Sequence, residues 1–370
     1  MEARAGPRRG SRMRAVVVGA GGNVGSHLIP HLARMGRFET VALIDPDRYE
    51  EKNLRSQEIV PDEIGRPKVL VQAGRLRRIA PDLRVEAHQT FVERVAPGAL
   101  LADVILSCPD SRAARQHVNE WARRLGVPWI DAGIEADRLL VRVDAYGTGP
   151  DDPCLECGWD ERHYASLEQR YACDPDDPRA PATNAPSGLG ALAAALMAVE
   201  CEKLIEGRNE EVLFGRELLL DLLHHRQYVT ATRRNPDCRL MDHAAWPLTL
   251  LDGSSRRRTL RDLLAGGPPE RRVSIPGRDF ARLLRCGGCG HEEHGLFLTL
   301  PGRESVRDCP RCAGSLVAAG FDRTPEIAAS AIPREWAETP LDRLGVRPGD
   351  LIRLTGETEK PTTWVVGELR

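Results

Sequence analysis

A chain of 370 residues, 41% hydrophobic and with a formal net charge of -2, has room for one large α/β domain and a smaller companion. The near-neutral balance gives no global pull toward nucleic acid or an anionic membrane, and no apolar run approaches the roughly 20 residues that span a bilayer. Residues 1–12 are basic but lack the apolar core of a secretory signal; Met13 is a candidate initiator, and the stretch before it reads as a disordered extension.

In chain order, residues 14–18 read as a buried parallel strand and 23–35 as a helix opened by the turn Gly19-Ala-Gly21-Gly22-Asn-Val-Gly25. Strands follow at 40–44, 84–88, 104–107 and 128–131, with helices at 67–79 and 111–125. Such alternation predicts a doubly wound, mostly parallel, Rossmann-like sheet. After residue 135 the pattern turns antiparallel, with strands at 138–146, 217–222 and 226–232 extending the sheet at one edge. Residues 151–186 lack periodicity and read as a lid or crossover, ending at Gly188-Leu-Gly190 before an alanine-rich helix at 191–205. The domain expectation is 13–250 for the large domain and 251–270 for a linker. A zinc ribbon then occupies 271–320 and a small segment 321–370.

The glycine turn between strand and helix lets a phosphate approach the backbone and the free N–H groups of a helix start. Asp45, ending the second strand, is placed for a ribose hydroxyl pair, which fits NAD and ATP equally. The residues that follow separate the two. Cleavage at an α-phosphate needs fixed cations and Mg2+ against developing charge. Arg55 and Lys68 can supply the cations, Asp110 can hold the metal, and Asn53 and Gln57 offer amides in the same loop. Singly, each is an ordinary solvated side chain. Arginine so dominates the 52 basic residues, however, that only Lys52, Lys68, Lys203 and Lys360 are lysine, and Lys68 falls inside the ordered set.

This combination resembles the ThiF family of adenylating enzymes, related to ubiquitin-activating enzymes and to activators of sulfur carriers. The resemblance rests on Gly19, Gly21, Gly22, Gly25, Asp45, the pair Asn53-Leu54, Gln57, Gly65-Arg-Pro-Lys68, and Asp110 with Arg115 and Asn119. It implies ATP and Mg2+ as cofactors and leaves a homodimer open. As substrate it implies the C-terminal carboxylate of a small ubiquitin-like or sulfur-carrier protein. Two departures stand out. Ser56 occupies the place where the family usually has an arginine, with Arg55 one residue earlier, and only a dozen residues precede the first strand where dimeric members often carry a helix.

Ten cysteines without an export signal favour metal and thiol chemistry in a reducing cytoplasm over a disulfide scaffold. Cys286-Gly-Gly-Cys289 and Cys309-Pro-Arg-Cys312 are a zinc-ribbon signal, four thiolates leaving no open position for catalysis. Cys154 and Cys157 make half a site, for which Cys238 and His243 are candidate partners because Met241 stands where a fourth thiolate would be; a metal-free remnant is the other reading. Cys173 lies in the crossover, where the resemblance places a nucleophile that receives an activated carboxylate, although no basic neighbour in sequence activates it. Cys108 and Cys201 read as small core residues, and the pair His224-His225 as structural.

The function expected is therefore ATP-dependent adenylation. Two rivals stay open at this stage: a catalytically silent scaffold that uses the ribbon to bind a partner, and an NAD-dependent oxidoreductase. Adenylation of something other than a carrier protein is a third.

Overall fold

The computed structural model describes residues 13–168, 185–240, 242–251, 257–300, 305–319, 323–357 and 360–367. Two units divide the chain: residues 1–93 with 100–245, and residues 94–99 with 246–370.

The first unit is built on eight strands: β1 (Met13–Val18), β2 (Phe38–Ile44), β3 (Arg84–His88), β4 (Val104–Ser107), β5 (Trp129–Glu135), β6 (Leu140–Tyr146), β7 (Arg216–Asp221) and β8 (Arg226–Ala231). Their order is β3-β2-β1-β4-β5-β6-β7-β8. Strands β3 to β5 in that order run parallel, and β6, β7 and β8 add antiparallel. β1 is the apolar run Met-Arg-Ala-Val-Val-Val, almost wholly buried, as a central parallel strand covered on both faces must be. β5 runs four residues beyond its expected end because it turns back on β6 as a hairpin, pairing Glu135 with Leu140.

Helices α1 (Asn23–Met35), α2 (Lys68–Ile79), α3 (Arg112–Leu125), α4 (Glu161–Glu168) and α5 (Ser187–Ile205) accompany this sheet. Leu28, Ile29 and Leu32 of α1 and Ala193, Ala194 and Met197 of α5 share one core with β1 and β4. α5 starts four residues before the expected position and takes Gly188 and Gly190 into its first turns. The reason is packing against α1: a Cβ on Gly190 would lie 1.9 Å from Asn23 Oδ1, so only glycine allows the approach.

The second unit holds β9 (Leu248–Leu251), α6 (Leu260–Leu264), β10 (Arg272–Ser274), β11 (Asp279–Cys286), β12 (Glu292–Thr299), β13 (Ser305–Asp308), β14 (Ser315–Ala318), β15 (Arg323–Thr324), β16 (Glu326–Ala328), β17 (Leu351–Thr355) and β18 (Thr362–Val366). One sheet runs β12-β11-β14-β13 and carries the four ribbon cysteines. Another runs β16-β10-β17-β18-β9. Residues expected as linker and as tail contribute side chains to one core here. α6, capped by Thr259, buries Leu260 and Leu263 in one core with Val273 of β10, Ile352 of β17 and Val366 of β18. The polar run near residue 255 resembles a boundary, but the apolar residues on either side of it are buried together.

Among the described residues, no helix is long and apolar enough to cross a membrane.

Candidate active site

Strand order reverses about β1, with β2 on one side and β4 on the other, so their connections leave in opposite directions and open a crevice at the carboxyl ends of the strands. A cavity of about 470 Å3 lies there, lined by Gly19, Gly22, Asp45, Gln57, Lys68 and Asp110 among others. Its volume is that of a small-molecule site.

Asp45 closes β2 and is buried. Its Oδ2 accepts from the Gly21 N–H at 2.9 Å and its Oδ1 from the Asp47 N–H at 3.0 Å, so the acid pins the glycine turn. Burial pushes its pKa up to about 6, against the pull of Lys68. Lys68 opens α2 with its side chain also buried, and its Nζ lies 3.0 Å from Asp47 Oδ2. Burial alone would lower the ammonium's pKa; the carboxylates of Asp45, Asp47 and Asp110 outweigh it and raise it. A permanent cation is thus held beside a glycine turn by three acids, with little water to screen it. Gly25 is buried in the first turn of α1, behind the turn and outside the lining.

The loop after β2 carries four of the residues around this site, two of them away from the cavity wall. Asn53 does not line the cavity. Its Oδ1 accepts from the Glu50 N–H at 2.9 Å and its carbonyl from the N–H groups of Ser56 and Gln57, so it shapes the turn that presents those two residues. Arg55 is exposed and lies outside the lining, whereas Ser56 is buried and Gln57 faces in. The stretch Glu51–Arg55 is a 3-10 helix, in which one residue turns the side chain by about 120°, so an arginine one place early points elsewhere.

On the opposite side, Arg115 of α3 lines the cavity while its Nε reaches both oxygens of Asp131, at 3.1 and 3.0 Å. Asp131 is completely buried in β5 and also accepts from Ser107 Oγ at 2.8 Å and from Arg142, which pairs in turn with Asp144. Burial pushes Asp144 up to about 7, with Arg142 opposing. This alternating network cross-links β4, β5 and β6 behind Arg115.

Two cysteine clusters form. Cys154, Cys157, Cys238 and His243 bring their ligand atoms within 4.8 Å of one another, as do Cys286, Cys289, Cys309 and Cys312. In the first, Cys154 Sγ lies 3.6 Å from Cys238 Sγ and 3.4 Å from His243 Nε2. In the second, the pairs Cys286–Cys312 and Cys289–Cys309 are 3.5 and 3.6 Å apart. A tetrahedral ion with bonds of about 2.3 Å spaces sulfurs by about 3.8 Å, so both sets fit zinc. His243 is wholly buried, and its Nδ1 lies 3.3 Å from the Asp152 carbonyl, leaving Nε2 toward the thiols, as in many metal-bound histidines. Glu156, inside the first Cys-x-x-Cys, accepts from Gln116, Asn119 and Tyr164, tying this knuckle to α3.

Cys173 and Met241 lie outside the described residues. Cys108 and Cys201 are buried in the core, and His224 bonds Asp221 at the surface. Asp47, Asp131, Arg142 and Glu156 escaped the sequence reading as site residues. Asp47 lies two residues after Asp45 and Glu156 between Cys154 and Cys157; the others carry no local signal.

The ThiF family model matches residues 4–240. The chain is 31% identical over 242 residues to the sulfur carrier protein adenylyltransferase of Thermus thermophilus, a match spanning 63% of this chain and 83% of that protein. It is 30% identical over 231 residues to the SAMP-activating enzyme E1 of Haloferax volcanii, spanning 61% and 78%. Crystal structures of E. coli MccB share the fold, with a TM-score of 0.52 at 22% identity over 62% of this chain and 66% of that one. Family model, relatives and the crevice at the β1–β4 reversal converge: the chain belongs to the ThiF family and is an adenylyltransferase of the ubiquitin-like-protein-activating type.

Proposed function

We propose that the protein activates the C-terminal carboxylate of a small ubiquitin-like or sulfur-carrier protein as an acyl-adenylate. The observation that carries this is the buried Lys68 ammonium, held between Asp45, Asp47 and Asp110 at the edge of the glycine turn. In this reading Asp45 accepts from the ribose hydroxyls, and the glycine turn with the start of α1 cradles the phosphates. Lys68 leaves Asp47 for the α-phosphate as charge builds there. Asp47 and Asp110 would hold Mg2+, which would neutralise charge on the departing pyrophosphate. The carboxylate oxygen attacks the α-phosphorus, the bond to the bridging oxygen breaks, and pyrophosphate departs. In this reading the incoming tail would pass the small residues Ala114, Gly133, Ala136 and Ala185 of the cavity wall.

The names of the two relatives support a carrier-protein substrate for this chain, and MccB has also been crystallised with ATP. An oxidoreductase would leave the Lys68 cluster without work. Zinc in both clusters would be structural, since protein ligands fill all four positions. Nine described cysteines, none in a disulfide, suit a cytoplasmic enzyme. ATP–pyrophosphate exchange with candidate diglycine-ended small proteins tests the proposal. Exchange dependent on one such carrier is expected; ATP binding with no exchange across the set would overturn it.

A further inference from the structure

We propose that Arg115 is the receptor for the substrate carboxylate; the role rests on the adenylation reading above and adds to it the group that grips the second substrate. How the guanidinium is tethered decides what it can still bind. Its Nε serves the Asp131 carboxylate, at 3.1 and 3.0 Å, and Nη2 donates to the Ala132 carbonyl at 3.3 Å. Nη1 makes no hydrogen bond among the described residues. The outer edge of the fork, Nη1 with the second N–H of Nη2, is therefore unspent. That edge matches the two oxygens of a carboxylate, a pairing of the strong, charge-assisted kind. The Arg115 side chain is 18% exposed and lines the cavity, whereas that of Asp131 is 0% exposed, so the acid is sealed in the sheet and the cation reaches the crevice. Asp131 also accepts from Arg142, so its single negative charge is divided between two guanidiniums. Arg115 thus keeps an attraction for a further anion.

β5 supplies a second, independent observation. Gly133 lines the cavity from inside that strand, where a glycine weakens the pairing and marks a close approach by a ligand. Its backbone does not need glycine, because its φ is not positive. What it provides is room: a Cβ there would lie 3.4 Å from Arg115 Nη2 and 3.5 Å from Arg142 Nη2. A bare Cα leaves the guanidinium uncovered where any other residue would lay a side chain against it. The competing anion is the ATP phosphate, but Lys68 already stands at the glycine turn, with Asp45 of β2 beside it. Arg115 comes from α3 and is tethered to β5, on the other side of the strand reversal at β1. A carboxylate gripped there is oriented before it meets the α-phosphate, which is the positional part of catalysis.

The test uses full-length wild type, Arg115→Ala, Arg115→Lys and Gly133→Ala, each saturated with α,β-methylene-ATP so that no bond breaks at the α-phosphate. The probe is a short synthetic peptide ending in Gly-Gly, titrated as the free acid and as its C-terminal amide and followed by NMR. Wild type should prefer the acid roughly 10- to 100-fold, the scale of one charge-assisted pair. Arg115→Ala and Gly133→Ala should each lose most of that preference, and Arg115→Lys, which keeps the charge without the fork, should fall between. Gly133→Ala leaves the ion pair with Asp131 in place, so it reads the site even if Arg115→Ala does not fold. MgATP affinity should stay within about threefold across the four proteins. An acid preference missing from the wild type, or intact in Arg115→Ala or Gly133→Ala, overturns this proposal alone. So does a loss of MgATP in step with the peptide, which would make Arg115 a phosphate contact. Wild-type protein that binds no MgATP overturns the adenylation reading as well.

Discussion

The aliphatic stem of Lys68 fills the space that a side chain on Gly21 would need: a Cβ built on Gly21 would lie 2.3 Å from Lys68 Cβ and 2.7 Å from Cδ. The missing side chain and the buried ammonium are therefore one feature. Gly21 also donates its N–H to Asp45, so a single residue positions both the acid and the cation of the crevice.

Lys68→Ala should depress ATP–pyrophosphate exchange by about a hundredfold or more, the scale of losing one oriented charge at a developing anion. Gly21→Ala should lower exchange by at least about tenfold with Lys68 still present, because the stem must leave its slot. Steady exchange assays on both variants check this, and wild-type rates in Gly21→Ala would break the link between the two residues.

Arg55→Ala should change exchange by less than about threefold, since the side chain is exposed and outside the cavity. A loss as large as that of Lys68→Ala would show that Arg55 reaches the phosphates after all.

Asp45 makes stability and binding respond to pH in opposite directions. Burial raises its folded pKa from 3.8 to about 6. Its favourable contribution is complete below the unfolded value and is lost as pH rises through the folded one. Over pH 4 to 8 the nucleotide-free wild type should lose about 2.5 kcal/mol more stability than Asp45→Asn. ATP affinity of the wild type should rise across the same range as the carboxylate ionises. Denaturant unfolding and calorimetry at matched pH values test the pair of trends, and parallel curves for the two proteins would refute the assignment.

Elemental analysis should find two zinc ions per chain, one for each ligand set. His243→Ala and Cys309→Ser should each remove one. The first should lower the melting temperature by several degrees, because the imidazole is wholly buried and joins segments far apart in the chain. Unchanged zinc content in either variant would dissolve the corresponding site.

Cys173→Ala separates two chemical steps. If its thiolate attacks the acyl carbon, a C–S bond forms, the acyl–phosphate C–O bond breaks and AMP leaves. The variant should then keep exchange within about twofold but form no reducible carrier adduct on gels. An adduct in the variant would remove Cys173 from the pathway.

Features under short-range control were legible in the order of residues alone. Strand alternation with helices, the glycine turn, the acid ending β2 and the paired cysteines all follow from periodicity and backbone geometry within a few residues. Tertiary structure decided what depends on where side chains point. It turned Arg55 outward and Ser56 inward, and put Asn53 to work on the loop. It gathered Cys154 with Cys238 and His243, 84 and 89 residues apart. Phe91 became part of the cavity wall only once β3 was laid beside β2. The stretches read as a linker and a tail joined one core because burial of apolar area acts between strands distant in sequence, and no local pattern records which strands will meet.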